Sequence, residues 1–294
     1  MNFKETKERA IRFYFFLAGI STVVVLLGIF LMLLINGLRT FKAVRLFDFL
    51  FGTVWNPSSY GKPSYGILSM VASTAMVTLG AMIIAVPLGI GTAAYIAEVA
   101  SPKIREILKP TIEILAGIPS VVIGFIGIVL VGPVIARIFG LTSGLNALNG
   151  SILLAIMALP TIVSISEDAI KAIPKEYKEA SYALGANRWT TLSRIIVPAA
   201  FPGIVASVML GIGRAIGETM TVLMVTGNAP AMPHSFFDSV RTMTTTIAIE
   251  LGEVPYGTTH YYALFAIGAV LFLMSFCVNM VAEIVTARYR SQRP

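Results

Sequence analysis

Six long apolar stretches dominate the chain, at residues 13–35, 66–96, 114–135, 151–165, 201–226 and 261–285. A helix needs about 20 apolar residues to cross the hydrocarbon core of a bilayer, so most of these stretches have the length of a membrane span. They lack the alternation of apolar and polar residues that barrel strands show, and helices satisfy their own backbone hydrogen bonds in lipid. The pattern therefore predicts an all-α, polytopic membrane protein with six transmembrane helices.

The composition agrees with a membrane protein and argues against soluble classes. Hydrophobic residues make up 56% of the 294 residues and charged residues only 13%, whereas a soluble domain carries about 25% charged residues. One cysteine, Cys277, excludes a disulfide framework, and two histidines leave little for a metal site. The net charge of +7 would suggest nucleic acid for a soluble protein, but here the distribution of the cations matters more, and we expect no nucleic-acid partner.

Lysine and arginine residues predict the orientation. With the N-terminus inside, the inside segments hold 15 of these cations and the outside segments hold 6. The positive-inside rule then places both termini in the cytoplasm. The first outside segment weakens the contrast, because it holds four cations: Arg39, Lys42, Arg45 and Lys62. It is long enough to form a small external feature, and a stretch rich in Gly, Pro and Ser follows. We therefore predict two units: residues 1–65, an N-terminal helix with its external loop, and residues 66–294, a five-helix core.

The cytoplasmic stretch 171–198 has the pattern of a helical hairpin. Pro174 favours a helix start, Gly185 suits a left-handed helix end, and Asn187 can cap a second helix. Pro198 allows no ordinary continuation in the interior of that second helix. Such a hairpin, with small residues on one side and charges on the other, fits the groove of a cytosolic partner. A solvated or interfacial loop is the alternative.

The spacing of five residues in this hairpin resembles the EAA motif of ABC importer permeases. The matching positions are Glu179, Ala180, Gly185, Ile195 and Pro198. Two further positions depart mildly from the common form, with Ser181 in place of Ala and Val197 in place of Leu. The resemblance implies that the hairpin is a coupling helix that docks into an ATPase subunit.

The fifth apolar stretch carries two charges, Arg214 and Glu218, which lie on one face if the helix is continuous. A charge at mid-bilayer costs about 2.5–3.5 kcal/mol on insertion scales, so the two form either a neutralised structural pair or part of an anion site. A guanidinium fork matches phosphate oxygens. Small and hydroxyl-bearing neighbours would allow close approach and donate hydrogen bonds: Gly211, Gly213, Gly217, Thr219 and Thr221.

Pro119 lies inside the third apolar stretch and predicts a break in that helix. A broken helix is tolerated in a membrane where it lines a cavity, and a free helix N-terminus attracts anions. Ser120 follows at the break and is a candidate residue of an anion path. An ordinary proline kink is the alternative.

Three strings resemble the permeases of the phosphate-specific ABC importer, a branch of the binding-protein-dependent transport permeases. They are Gly-Arg-Ala-Ile-Gly-Glu-Thr-Met at 213–220 with Gly-Asn at 227–228, the run at 239–248 with Gly-Glu-Val at 252–254, and the run at 116–124. The Met after Glu-Thr is similar to the C-type (PstC-type) permeases. The resemblance covers most of the chain from about Gly66 and implies a MetI-like permease core.

The same resemblance implies that Arg214 and Glu218 belong to the transport path, beside which Thr219 and Ser120 are the further candidates. It implies a permease subunit of an ATP-driven importer that moves inorganic phosphate into the cytoplasm across the plasma (inner) membrane of a prokaryote. It also implies a second permease (PstA-like), an ATPase pair (PstB-like) and an external phosphate-binding protein (PstS-like), with membrane lipid around the chain.

A P-loop motif does not occur in the sequence, so we expect no cofactor in this chain and no enzymatic activity, with ATP and Mg²⁺ bound by the partner ATPase. Two alternatives stay open. One is an ABC importer permease for another oxyanion, such as molybdate or sulfate, or for another solute. The other is a membrane scaffold or enzyme that does not transport.

Overall fold

The computed structural model describes residues 3–59 and 61–290, and that part of the chain is mainly helical. Six helical segments are long and apolar enough to cross a membrane: Lys7–Thr40, Leu68–Val99, Ser120–Phe139, Ala147–Lys171, Arg188–Gly217 and Thr259–Ala287. The prediction of a polytopic helical membrane protein with six spans is confirmed.

The helices that begin in the first half of the chain are α1 Phe3–Thr40, α2 Leu46–Phe51, α3 Leu68–Ala94, α4 Pro102–Ala116, α5 Ser120–Ile126, α6 Gly132–Phe139 and α7 Ala147–Lys171. The remainder are α8 Lys175–Ala183, α9 Arg188–Thr191, α10 Val197–Gly217, α11 Met220–Val225, α12 Met243–Glu250 and α13 Thr259–Arg290. Two short strands, β1 Trp55–Asn56 and β2 Ser64–Tyr65, pair antiparallel. Three π-helical turns extend or join helices, at Tyr95–Val99, Gly127–Val131 and Leu192–Ile196.

Helix α7 lies at the centre of the bundle and packs against α3 and α10. Its apolar side chains, among them Leu153 and Ile162, are buried with Val77 of α3 and Ala215 of α10. The sequence predicted a shorter span ending at residue 165, but the helix runs on to Lys171. It can do so because the buried carboxylate of Glu167 forms ion pairs with Lys109 and Lys171.

The third span begins later than the sequence predicted. Residues 114–116 belong to α4, a helix outside the six candidate spans on which no described residue is fully buried. Pro119 stands between α4 and α5 and directly precedes the first residue of α5, Ser120. The proline therefore separates two helices instead of kinking one span.

Pro198 does not end the helical path, but the path before it is not an ordinary α-helix, as the sequence predicted. Helix α9 continues through the π-helical turn Leu192–Ile196 into α10, where Pro198 lies in the first turn. Proline cannot donate a backbone hydrogen bond. The wider turn changes the hydrogen-bond pattern just before it, so the helical path continues.

The segment after α1, predicted to be external, packs onto the N-terminal parts of α12 and α13. Phe49, Trp55 and Ile67 are buried in one cluster with Met243 and Leu264. The predicted boundary at residue 65 follows β2, and residues on both sides of it share this cluster. A side chain on Gly66 would collide with the backbone of Gly52, so a pair of glycines allows the segment to close on itself.

Candidate anion path and coupling hairpin

The fifth span is interrupted where the sequence predicted a continuous helix. Helix α10 ends at Gly217, Glu218 is extended (φ −69°, ψ 131°), and α11 begins at Met220. The carbonyl oxygen of Glu218, freed by the break, accepts a hydrogen bond from the Thr244 hydroxyl at 3.0 Å. An interruption at membrane depth is tolerated where neighbouring groups satisfy the freed backbone atoms, and α12 supplies such a group here.

Arg214 and Glu218 do not lie on one helix face, so that prediction is wrong. The Glu218 carboxylate accepts a hydrogen bond from the backbone N–H of Thr221 at 3.2 Å. Arg214 donates from Nη1 to the hydroxyl oxygen of Thr161 at a long 3.4 Å. Within the described residues neither charge takes part in an ion pair. The guanidinium is partly buried, and no carboxylate of residues 3–59 or 61–290 compensates its charge.

The interruption brings Ser120 close to the end of α10. The hydroxyl of Thr221 donates to the backbone carbonyl of Ser120 at 3.0 Å, so the start of α5 lies against the start of α11. Thr219 donates to the carbonyl of Gly217 at 3.3 Å. The predicted path residues Ser120, Glu218 and Thr219 thus surround one interruption, and Arg214 lies one turn earlier on α10.

The three glycines near Arg214 have different surroundings. An added Cβ on Gly211 would meet the Cδ1 atom of Ile162 at 3.0 Å, so this glycine allows α10 to pack closely on α7. An added Cβ on Gly213 or Gly217 would meet nothing within 4 Å. One side of α10 beside Arg214 is therefore open in the single chain.

Two residues at this site escaped the sequence analysis. Thr161 lies on α7, and Thr244 lies on a short helix outside the predicted spans. The available signal for Thr244 was a run rich in threonine at 242–246, and all four threonines of that run are buried: Thr242, Thr244, Thr245 and Thr246.

The hairpin of residues 171–198, predicted to be cytoplasmic, has the predicted local structure. Helix α8 begins directly after Pro174, and Gly185 has the left-handed φ of +81°. The side chain of Asn187 accepts a hydrogen bond from the backbone N–H of Thr190 at 2.8 Å, which caps α9. These three predictions are confirmed.

The hairpin exposes the residues that match the EAA motif: Glu179, Ala180, Gly185, Ile195 and Pro198. It also exposes two large apolar side chains that the sequence analysis did not single out, Leu184 at 89% and Trp189 at 73%. Large apolar groups that protrude together from a polar surface are typical of a protein contact site.

Two polar contacts hold the hairpin in place. The buried hydroxyls of Ser181 and Thr191 share a hydrogen bond of 2.8 Å, which joins α8 to α9. A serine therefore has a structural use where the motif commonly has alanine. Lys178 forms an ion pair with Glu98 at 2.5 Å, which joins α8 to the π-helical turn that follows α3.

A cluster of charged side chains joins α4 to the central helix α7. The ammonium of Lys109 lies 2.9 Å from the Glu167 carboxylate and 3.3 Å from that of Asp168. The hydrogen bond to Glu167 is the main reason that the pKa of Lys109 is raised, and burial opposes it. Lys109 thus stays charged and fixes α4 to the C-terminal end of α7.

Comparison with known proteins identifies the family. Residues 85–291 match the family model of the binding-protein-dependent transport system inner membrane component. A probable ABC transporter permease of Bacillus subtilis, YqgH, is 41% identical over 86% of this chain and 82% of its own length. The phosphate transport system permease PstC of Mesorhizobium japonicum is 33% identical over 92% of this chain and 88% of its own length. These matches confirm the resemblance that the sequence strings indicated.

Solved structures agree with the fold. A bacterial ABC transporter that imports the acidic polysaccharide alginate aligns over 97% of this chain and 99% of its own, with a TM-score of 0.63 and 15% identity. The MetNI methionine ABC transporter aligns over 76% of this chain and 94% of its own, with a TM-score of 0.57 and 19% identity. The chain is therefore a multi-pass membrane protein that belongs to the family of binding-protein-dependent transport system inner membrane components, the permease subunits of ABC transporters.

Proposed function

We propose that the chain is the transmembrane permease subunit of an ATP-driven importer that moves inorganic phosphate into the cytoplasm. The observation that carries the proposal is Arg214, a partly buried cation in the fifth span whose hydrogen bond within the described residues is the long contact with neutral Thr161. An uncompensated cation at membrane depth is costly. A passing oxyanion relieves that cost, and the planar guanidinium fork suits two oxygens of a tetrahedral anion.

The open side of α10 supports a path shared between two subunits. Gly213 and Gly217 face open space beside Arg214, so a second permease completes the path around the cation. Glu218 lies at the interruption, where the Thr221 amide holds its carboxylate. Its negative charge next to the path limits how tightly an anion is retained, because conduction requires sites that also release.

The cytoplasmic hairpin is the coupling element in this proposal. Its exposed Leu184 and Trp189 enter a groove of a separate ATPase subunit, and Glu179 pairs with a basic residue there. The ATPase pair binds ATP and Mg²⁺, and an external phosphate-binding protein delivers the anion. The excess of inside cations supports a chain with both termini in the cytoplasm of a prokaryote and its spans in the inner membrane.

The names of several relatives support phosphate as the substrate. Relatives named as PstC phosphate transport permeases are 33% identical over 92% of the chain in Mesorhizobium japonicum and 31% identical over 91% of it in Mycobacterium tuberculosis. A guanidinium fork also fits sulfate and molybdate, since these are tetrahedral oxyanions of similar shape. Selectivity among oxyanions therefore has to be measured.

The test is uptake of labelled phosphate by vesicles that contain the full complex with its binding protein. We expect ATP-dependent uptake that excess sulfate and molybdate leave largely unchanged. Arg214→Ala abolishes it, and the matched control Arg137→Ala, an exposed external arginine on α6, leaves it intact. Preferential uptake of sulfate or molybdate would show that phosphate is not the main substrate. Full uptake by Arg214→Ala would show that Arg214 is not part of the transport path.

A further inference from the structure

The external segment between α1 and α3 carries cations that the orientation rule does not explain. Arg39 has a use within the chain, since its Nη1 donates to the Tyr262 hydroxyl at 3.0 Å and its guanidinium lies 5.3 Å from the centre of the Tyr262 ring. Arg45 and Lys62 are exposed, and within the described residues neither forms an ion pair.

Arg45 and Lys62 line one groove of about 740 Å³. Asp48 is the acidic residue of its lining, so the groove has more positive than negative charge. Phe47 and Phe51 line it as well, and their rings lie 4.7 Å apart. The groove therefore combines a basic part with an aromatic part.

Helix α2 exposes mainly apolar side chains, together with the acidic Asp48. Phe49 points inward and is fully buried, whereas Phe47 is 70% exposed. Leu46, Phe51 and Val54 extend this outward surface and are each more than half exposed. Water alone does not favour such a surface on a short helix that is already anchored on its other side.

The position of α2 supports lipid as the neighbour of this surface. The segment lies between the outer ends of two spans, and the ring of Phe41, directly after α1, contacts Phe49 edge-on at 5.5 Å. The most apolar window of α1 is exposed along its whole length in the single chain. Tyr261 and Tyr262 lie at the outer start of α13, as expected for an aromatic belt at the membrane surface. The outward face of α2 thus continues a membrane-facing surface.

We infer that α2 docks into the outer leaflet and that Arg45 and Lys62 bind the phosphate headgroup of an anionic phospholipid. Phe47 and Phe51 enter the region between headgroups and acyl chains, as apolar side chains of interfacial helices do, while the cations meet the charged group. The inference does not depend on the transported solute.

The first experiment measures retention of phosphatidylglycerol on the purified full chain by native mass spectrometry, with phosphatidylcholine as the neutral reference. The combined change Arg45→Gln with Lys62→Gln lowers phosphatidylglycerol retention by at least about tenfold. The matched control combines Lys42→Gln with Arg137→Gln, two external cations outside the groove, and retains the lipid as the unchanged chain does. Equal retention in the two double variants overturns the inference.

The second experiment places a fluorescent probe on the outward face. A tryptophan at Phe47→Trp is quenched by brominated phospholipid in nanodiscs, while the unchanged chain, with Trp55 buried and Trp189 on the cytoplasmic hairpin, gives the background. Inorganic phosphate should not displace phosphatidylglycerol; displacement that the double variant abolishes assigns the groove to the free anion instead. If purified binding protein protects the Phe47→Trp probe from solvent and brominated lipid does not quench it, the outward face of α2 contacts a protein partner. Either result overturns the lipid assignment.

Discussion

The coupling hairpin and the interruption of the fifth span are stabilised in opposite ways. Short-range contacts shape the hairpin, such as the Asn187 cap and the left-handed Gly185, and the Lys178–Glu98 ion pair joins it to the rest of the chain. The interruption depends on groups far away in sequence. The Thr244 hydroxyl donates a hydrogen bond to the Glu218 carbonyl, and the Thr221 hydroxyl donates one to the Ser120 carbonyl.

This difference shows how one chain can separate docking from conduction. The hairpin keeps its shape without a partner and turns Leu184 and Trp189 outward, so changes on its surface should affect association while leaving the fold intact. Residues of the same chain cover one side of the interruption. The other side, at Gly213 and Gly217, has no atom within 4 Å of an added Cβ. Changes there should affect the path while the hairpin still binds.

The largest expected effect is at the interruption. Arg214→Ala should abolish phosphate uptake while the complex assembles at normal yield, because among the described residues no carboxylate pairs with the cation and would be left unbalanced. Arg214→Lys should recover little, since an ammonium lacks the bidentate fork. Uptake and co-purification of the complex are measured together.

The double variant Arg214→Ala with Glu218→Gln decides between conduction and charge balance. The absence of an ion pair between these side chains in the described structure predicts that the second change does not restore uptake. Restored uptake would show that Arg214 serves charge balance and does not contact the anion.

The next largest effect is at the hairpin. Gly185→Val forces a β-branched residue into a left-handed conformation, which costs about 1–2 kcal/mol locally. Glu179→Lys reverses an exposed charge on α8. We expect both variants to reach the membrane at normal levels and to bind the ATPase about tenfold more weakly, as measured by co-purification.

Gly140→Val is the matched control for the hairpin. Gly140 also has a left-handed φ, +65°, and ends α6 with no atom within 4 Å of an added Cβ. Because α6 lies outside the hairpin, this variant should bind the ATPase as the unchanged chain does. A loss equal to that of Gly185→Val would attribute the effect to general strain.

A smaller effect is expected where α12 supports the interruption. Thr244→Val keeps the shape of the side chain but leaves the Glu218 carbonyl without its hydroxyl donor, at a cost of about 1–3 kcal/mol. Uptake should fall several-fold. Thr246→Val removes another buried hydroxyl, which bonds Met70 and the Thr242 carbonyl, and should lower the melting temperature without the same loss of uptake. Equal losses in both variants would argue for a purely structural role of Thr244.

The smallest effect concerns the contact between the hairpin and α3. Glu98→Lys or Lys178→Glu should reduce phosphate-stimulated ATP hydrolysis a few-fold, because each leaves one partly buried charge facing a like charge. The combined reversal restores the ion pair and should restore stimulation, with a coupling energy of about 0.5–3 kcal/mol. A double variant as impaired as the two single variants together would exclude transmission through this pair.

Sequence reasoning succeeded where the signal is local. The six spans follow from composition and length, and Pro174, Gly185 and Asn187 each act within a few residues of their own position. It failed at Glu218, because neither a proline nor a glycine stands at the residue that leaves the helix. The freed carbonyl of Glu218 is satisfied by a threonine 26 residues away in the chain, and periodicity cannot reveal such a contact. The packing of the external segment on α12 and α13 escaped prediction for the same reason.

The π-helical turn at Leu192–Ile196 sets the rotation of α9 about the axis of α10. Each residue of an α-helix turns the chain by about 100°, and a π-helical turn holds one residue more than an α-helical turn of the same rise. The angle at which Trp189 projects around the axis of α10 therefore depends on the number of residues in the π-helical turn between them. A π-helical turn, and not a flexible joint, therefore sets the direction of the exposed Trp189 side chain.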